Sequence, residues 1–251
     1  MSLPLEVSLF WDNQQLTRLE QLTLASYYIN FDKINIFTYN KELFRGWMDR
    51  CKINIYDAGD VMPKDERFYY KGNGDCVKYS VVGFSDIIRY KIVYNTGGWY
   101  SDFDVTCLKP YNFTENHTVI RYHPVHKSIS NICKFQKNDE ILTELHDTTK
   151  RLINECNNIW TAPLTIFSDI ISKYGYDDYV VAGVLGEDDY DKSIKPLLTK
   201  NLRSIDISNQ YAIHWCRSAI TTGNWSVDHI CDINNPFPGT YLSFLYTKHG
   251  V

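Results

Sequence analysis

Asp102 and Asp104, two carboxylates two residues apart in the run Trp99-Tyr100-Ser101-Asp102-Phe103-Asp104-Val105, are the residues whose types and spacing most readily suggest chemistry. In an extended segment alternate side chains project to one side, so the pair converges on a point and suits a hard divalent cation. Asp189-Tyr190-Asp191 repeats the spacing inside the acidic run from Glu187 to Asp191 and reads instead as a solvated loop. The setting separates the two. Asp102 and Asp104 follow a helical stretch, the Gly97-Gly98 break and two aromatic residues, which puts them at a strand edge beside a turn where phosphates can approach the backbone closely. Upstream, Ser85, Asp86 and Arg89 stand at i, i+1 and i+4 of that stretch and share one polar flank. Taken alone, Asp86 and Arg89 read as a surface ion pair contributing under about 1 kcal/mol.

The elements that must position these residues follow from hydrophobic periodicity. Leu5 to Trp11 reads as a buried strand with Asp12-Asn13 as turn and helix cap, Leu16 to Tyr27 as a helix, and Lys33 to Tyr39 as a second strand. This β-α-β alternation argues for a parallel sheet. Ile53 to Tyr56 is a short third strand, Asp57 to Asp75 a long connector, and Val77 to Tyr94 a helix stopped by Gly97-Gly98. Helices are expected at Glu140 to Cys156 and Ala162 to Tyr174, and strands at Tyr179 to Leu185 and Tyr211 to Trp215. The expectation is one α/β domain over residues 1–251 with a small irregular C-terminal part.

Composition narrows the functional classes. With 26 Lys+Arg against 30 Asp+Glu, a formal charge of −4, there is no basic field for a nucleic acid. No stretch approaches the roughly 18 apolar residues of a membrane span. Met1-Ser2-Leu3-Pro4 lacks the basic and apolar regions of a signal peptide, so a cytoplasmic location is expected and the sequons at Asn112, Asn116 and Asn224 are expected to be unused. Seven Cys without a C-x-x-C pair read as reduced thiols rather than as a disulfide framework or zinc site. The 19 Tyr and 6 Trp permit stacking surfaces for sugars or bases, and equally a bulky core. Oligomeric state is not legible.

The composite string Ser85-Asp86-x-x-Arg89-x7-Gly97-Gly98-x-Tyr100-x-Asp102-x-Asp104 resembles the signature of the DXD-containing retaining glycosyltransferases, the group that includes yeast-type initiating mannosyltransferases, capsular polysaccharide synthesis proteins and large clostridial glucosylating toxins. Weaker likenesses extend along the chain: Phe10-Trp11 resembles the end of the family's opening I-x-x-x-W, Thr161-Ala162-Pro163 its T-G-P turn, and Ala212-Ile213-His214-Trp215 with Asn224-Trp225 its C-terminal His and Ser-Trp region. The resemblance implies a GT-A, Rossmann-like fold that binds a nucleotide-sugar across the carboxyl ends of its strands. Residues 1–107 would then form the nucleotide-sugar half and residues 108–251 the acceptor side and C-terminal loop.

It also implies roles. Asp104 resembles the direct ligand of Mn²⁺ or Mg²⁺, and Asp102 the residue facing sugar and ribose hydroxyls and the metal's hydration shell. His214 is the choice for a third ligand, against the alternative of a structural histidine. Asp86 and Arg89 resemble the pair that holds the transferred sugar, with Ser85 and Tyr100 beside them. Trp11 is placed to stack on the base or else to fill the core beneath the first helix, and Tyr39 is a second stacking candidate. Trp225 is assigned to the diphosphate from a closing loop, or to packing. The donor implied is a nucleotide-sugar, a UDP-sugar favoured and GDP-mannose the alternative, and the acceptor a glycan, as in polysaccharide biosynthesis. Rival readings are a nucleotidyltransferase of related fold, for which no Gly-rich phosphate loop is found near the first strand, and a non-catalytic sugar-binding module.

Overall fold

The structure, a computed structural model, describes residues 4–12, 15–69, 81–113, 117–155, 159, 161–186, 189–201, 205–217 and 232–251. The chain opens with strand β1 (Glu6–Trp11), helix α1 (Arg18–Asn30), β2 (Lys33–Thr38) and β3 (Ile53–Asp57), close to the expected bounds. Short 3-10 turns at Lys41–Trp47, Ala58–Asp60 and Lys64–Glu66 shape the connections around β3. Helix α2 (Val82–Thr96) then returns the chain to β4 (Gly98–Ser101), followed by β5 (Val105–Cys107). A hairpin, β6 (Val119–His123) and β7 (Lys127–Phe135), leads to α3 (Glu140–Glu155) and α4 (Ala162–Lys173). The chain continues through β8 (Val180–Val181), α5 (Lys195–Thr199), β9 (Ala212–His214) and α6 (Tyr241–His249).

Among the described residues seven strands form one sheet in the order β3-β2-β1-β4-β7-β6-β8. The expected parallel sheet holds for β3, β2, β1 and β4, while β7 runs antiparallel to both β4 and β6. Strand β1 is packed on both faces, so every residue from Val7 to Trp11 is buried, the polar Ser8 included. Val7, Leu9 and Trp11 enter the cluster containing Leu24, Tyr27, Phe31 and Trp99, whereas Phe10 enters the opposite cluster with Phe37, Phe84, Ile88 and Leu145. The strand order turns back on itself at β1 and β4, so their carboxyl ends, at Trp11 and Ser101, flank the crevice where such sheets bind ligands.

The C-terminal part is more ordered than expected. Leu19 and Leu22 of α1 pack with Leu197 and Leu198 of α5, Trp215, and Leu242, Leu245 and Tyr246 of α6 in a third cluster. Helix α1 is therefore covered on the sheet side and on the far side, and buries Leu19, Glu20 and every residue from Leu22 to Tyr27. The strand expected from Tyr179 to Leu185 contracts to Val180–Val181, since Leu185 leaves the sheet edge for the core and its carbonyl accepts from Arg121 (3.0 Å). Among the described residues no helix is long and apolar enough to cross a membrane.

The Gly97-Gly98 break stops α2 as expected. Gly97 has φ +66° and ψ −175°, a conformation open essentially to glycine alone, and a Cβ there would lie 2.8 Å from the Lys137 backbone nitrogen. Gly98 also has positive φ (+79°), but a Cβ would meet only the Glu6 carbonyl at 3.6 Å. Gly97→Ala should therefore destabilise the chain by more than the roughly 1–3 kcal/mol expected from backbone strain alone, and Gly98→Ala by about that strain. Denaturant midpoints of the two variants check the order.

Candidate active site

The Asp102-Phe103-Asp104 segment is not extended. It is the turn between β4 and β5, and Phe103 is the buried residue that makes it turn. The Phe103 ring packs against Trp11 (centroids 5.2 Å apart) and Phe44 (5.8 Å), and its carbonyl accepts from the Thr23 hydroxyl at 2.8 Å. On either side the backbone is pinned, with the Asp102 N–H donating to the Asn131 carbonyl and the Trp215 N–H to the Asp104 carbonyl, each at 2.9 Å. The carboxylates consequently take different partners instead of converging on one point. They remain close enough for the charge of Asp104 to help raise the pKa of Asp102.

Asp102 belongs to a buried ion cluster. Arg89, only 3% exposed, directs Nη2 to both Asp102 oxygens (2.9 and 3.1 Å) and to Asp86 Oδ1 (3.0 Å), while Nη1 donates to Ser130 Oγ at 2.8 Å. Its guanidinium carbon lies 5.2 Å from the centre of the Tyr100 ring. The Asp86–Arg89 pair expected on the surface is thus interior, because β7 covers it with Ser130. Burial pushes the Asp86 carboxyl up to about 6 despite the pull of Arg89. Asp102 is raised for the same reason, with Arg89 opposing. Burial disfavours the charge on Arg89, but the two carboxylates outweigh it and hold the guanidinium protonated. Ser85 stands apart, its hydroxyl donating to the Val82 carbonyl at 2.6 Å.

Asp104 faces the C-terminal half of the chain. Strand β9 pairs antiparallel with β5 and sets His214 opposite Val105, which brings His214 Nε2 to 3.4 Å from Asp104 Oδ1. The Cys216 sulfur lies 3.2 Å from His214 Nδ1, leaving Nε2 to face the carboxylate. Asp104 Oδ2 accepts from the Arg217 backbone N–H at 2.9 Å. Among the described residues no group of three or more His, Cys, Asp or Glu could hold a metal ion by itself. A hard cation bound through one or two protein groups with phosphate oxygens completing its shell needs no such group, and Asp104 with His214 fits that requirement. Asp102, with both oxygens on Arg89, fits the sugar-facing role better than direct ligation.

The remaining candidates are dispersed. Trp11 is 9% exposed in the core cluster, with Phe103 against its ring, the Arg217 guanidinium carbon 5.5 Å from its centre and a buried indole N–H that finds no acceptor among the described residues. Tyr39 packs on the other face of the sheet against Phe10 and Phe84 and donates its hydroxyl to the Met62 carbonyl at 2.7 Å. Trp225, and the proposed closing loop around it, lie outside the described residues. Asp189 and Asp191 pair with Lys192 and Lys195 where a π-helical turn (Tyr190–Ile194) runs into α5, so Asp191 is solvated as expected but sits on a helical turn rather than in a loop. Sequence reasoning missed Ser130, Asn131, Arg121, Cys216, Arg217 and Glu20. The one available signal was the polar Ser128-Ile129-Ser130-Asn131 inside an otherwise apolar strand.

Residues 33–122, from β2 through the turn to β6, match the glycosyltransferase sugar-binding region containing a DXD motif. Among solved structures, the PaToxG glycosyltransferase aligns with a TM-score of 0.51 at 13% identity, over 68% of this chain and 69% of its own. The apo-form glycosyltransferase GlyE of Streptococcus pneumoniae TIGR4 aligns with a TM-score of 0.53 at 10% identity, over 99% of this chain and 60% of its own. At these identities the likeness is one of fold. No curated protein matches the chain in sequence. The chain thus carries a region similar to the DXD-containing glycosyltransferases within a GT-A fold.

Proposed function

We propose that the chain transfers a sugar from a nucleotide-diphospho-sugar to a hydroxyl of a glycan acceptor with retention of configuration, assisted by Mn²⁺ or Mg²⁺. The approach of His214 Nε2 to Asp104 Oδ1 at 3.4 Å, beside an Asp102 already held by Arg89, is the observation that supports it best. Such a cation supplies Lewis-acid stabilisation of the charge that builds on the leaving diphosphate. Asp104 and His214 hold it. Arg89 fixes the orientation of Asp102, whose side chain is 24% exposed and can accept hydrogen bonds from sugar hydroxyls. Asp86 keeps Arg89 in register from its own helix. Preference for a UDP-sugar over GDP-mannose, retention and the glycan acceptor are carried by the family resemblance.

Two comparisons test this reading. Asp104→Asn and His214→Ala should each reduce Mn²⁺-dependent donor hydrolysis by roughly 100-fold or more in a folded chain, the scale of losing one charge-stabilising group. The double variant Asp189→Asn/Asp191→Asn should turn over donor within about twofold of wild type, because its carboxylates lie in a solvated turn where substitutions have small effects. Full activity after chelation of the wild type would defeat the metal-dependent mechanism, and loss of activity in the double variant would move the site.

The ion cluster adds a pH dependence. As pH falls through about 6, Asp86 takes a proton and releases one of the two carboxylates holding Arg89, so turnover should show an acid limb near that value. The sign distinguishes this from unfolding. A carboxyl whose folded value (about 6) lies above its unfolded value (3.8) binds protons preferentially in the folded state, so this group adds stability as pH falls across that window. The rate should therefore drop while Asp86 makes no loss of melting temperature, and Asp86→Asn should remove the limb. Parallel pH profiles of rate and melting temperature decide it.

A further inference from the structure

Glu20 is fully buried on α1, a position that its role at the helix start does not require. Only Oε2 serves the helix, accepting from the Thr17 N–H (2.7 Å) and hydroxyl (2.5 Å). Oε1 points instead at Arg217 Nε, 3.1 Å away. Arg217 is thereby tied at both ends: its guanidinium, 26% exposed, lies against Glu20 and over Trp11, and its backbone N–H donates to Asp104 Oδ2 at 2.9 Å.

The consequence concerns charge. A guanidinium beside a carboxylate normally pairs with it directly, and a bidentate pair is among the stronger contacts available. Here the charge of Arg217 is engaged by Glu20, while its neutral main-chain N–H donates to Asp104. Burial of a charge is costly unless it is paired, so Glu20 and Arg217 hold one another in place. We infer that Glu20 is a positioning residue for Asp104: by holding the Arg217 guanidinium, it keeps that cation from competing for the carboxylate while the Arg217 N–H fixes the carboxylate's orientation toward His214. This rests on the assignment of Asp104 and His214 to a divalent cation made above.

The test is Mn²⁺ binding by purified full-length chain, read by paramagnetic resonance without donor, together with melting temperature in chelator. Glu20→Gln keeps the shape and an oxygen acceptor for Thr17 but removes the charge that holds Arg217. It should weaken Mn²⁺ binding roughly 10- to 100-fold, the usual effect of disturbing a residue behind a metal ligand. Adding Arg217→Ala removes the competing cation and should restore binding to within about threefold of wild type, well inside that outer-shell effect. A residue that only caps α1 would lower the melting temperature, leave Mn²⁺ affinity unchanged and gain nothing from Arg217→Ala. If Glu20→Gln alone fails to fold, the double variant, which carries neither charge, is compared directly with wild type, and binding weakened more than about tenfold there overturns the inference. Unchanged affinity in a folded Glu20→Gln chain overturns it too. Wild type that binds no Mn²⁺ overturns the cation assignment first and the inference with it, so the two failures are told apart by the wild-type titration.

Discussion

A guanidinium taken out of water must keep its counter-charges in contact, and the centre of this molecule is arranged around that demand at Arg89. Its partners arrive from three directions: Asp86 from its own helix, Asp102 from the carboxyl end of β4, and Ser130 from β7. One side chain thus fastens α2 and both strands at the place where the order of the sheet reverses. Removing one member of such a cluster leaves an uncompensated interior charge, at a cost of about 3–5 kcal/mol. The same cost explains why Asp102 keeps its position at the carboxyl end of β4.

The second carboxylate is supported differently. Asp104 sits across a two-stranded pair, β5 with β9, whose three-residue strands have little ladder of their own. Its rigidity comes from burial behind it: Trp215 is fully enclosed, donates Nε1–H to Thr106 Oγ1 at 2.8 Å and packs into the cluster shared by α1, α5 and α6. The C-terminal helices therefore reach the site through Trp215 although they contribute no ligand from the described residues. Phe103 works between the two carboxylates as a wedge that separates them and seals the turn from below.

What was legible in the sequence is what repetition reports. The alternation of β1 and β2, the apolar face of α2 and the double-glycine stop all appear in the spacing of residues, and the composite string singled out the turn that carries Asp102 and Asp104. The losses share a physical cause. The β6–β7 hairpin escaped because Ser128, Ser130, Asn131 and Arg121 are polar yet buried; Ser130 is held by Arg89 and Asn131 by Arg121, partners that spacing does not reveal. Arg121 lies where the β6–β7 register shifts, and is directed inward to the Leu185 and Gly186 carbonyls. Asp86 and Arg89 looked like a solvated pair because a helix pattern shows which residues share a flank, not that a serine 41 residues beyond Arg89 will cover it. Glu20, in the first turn of α1, has nothing in its spacing that foretells its burial against Arg217. The turn at Phe103 could not be read because a two-residue spacing is equally compatible with a strand.

The strand pair β5–β9 also sets an order of events during synthesis. Asp104 and Arg217 are 113 residues apart, so at elongation rates of roughly 5–20 residues per second the DXD turn emerges several seconds before its partners exist. Over that interval a nascent chain can assemble β1 to β4 and close Arg89 onto Asp102, once β7 follows, while Asp104 still lacks both His214 and the Arg217 N–H. Contacts of such long sequence separation incur their loop-closure cost late, which places completion of the Asp104–His214 side near the end of folding. The Arg89-centred and Asp104-centred sides of the turn thus mature as separate steps, the second completed only by arrival of the distal third of the polypeptide.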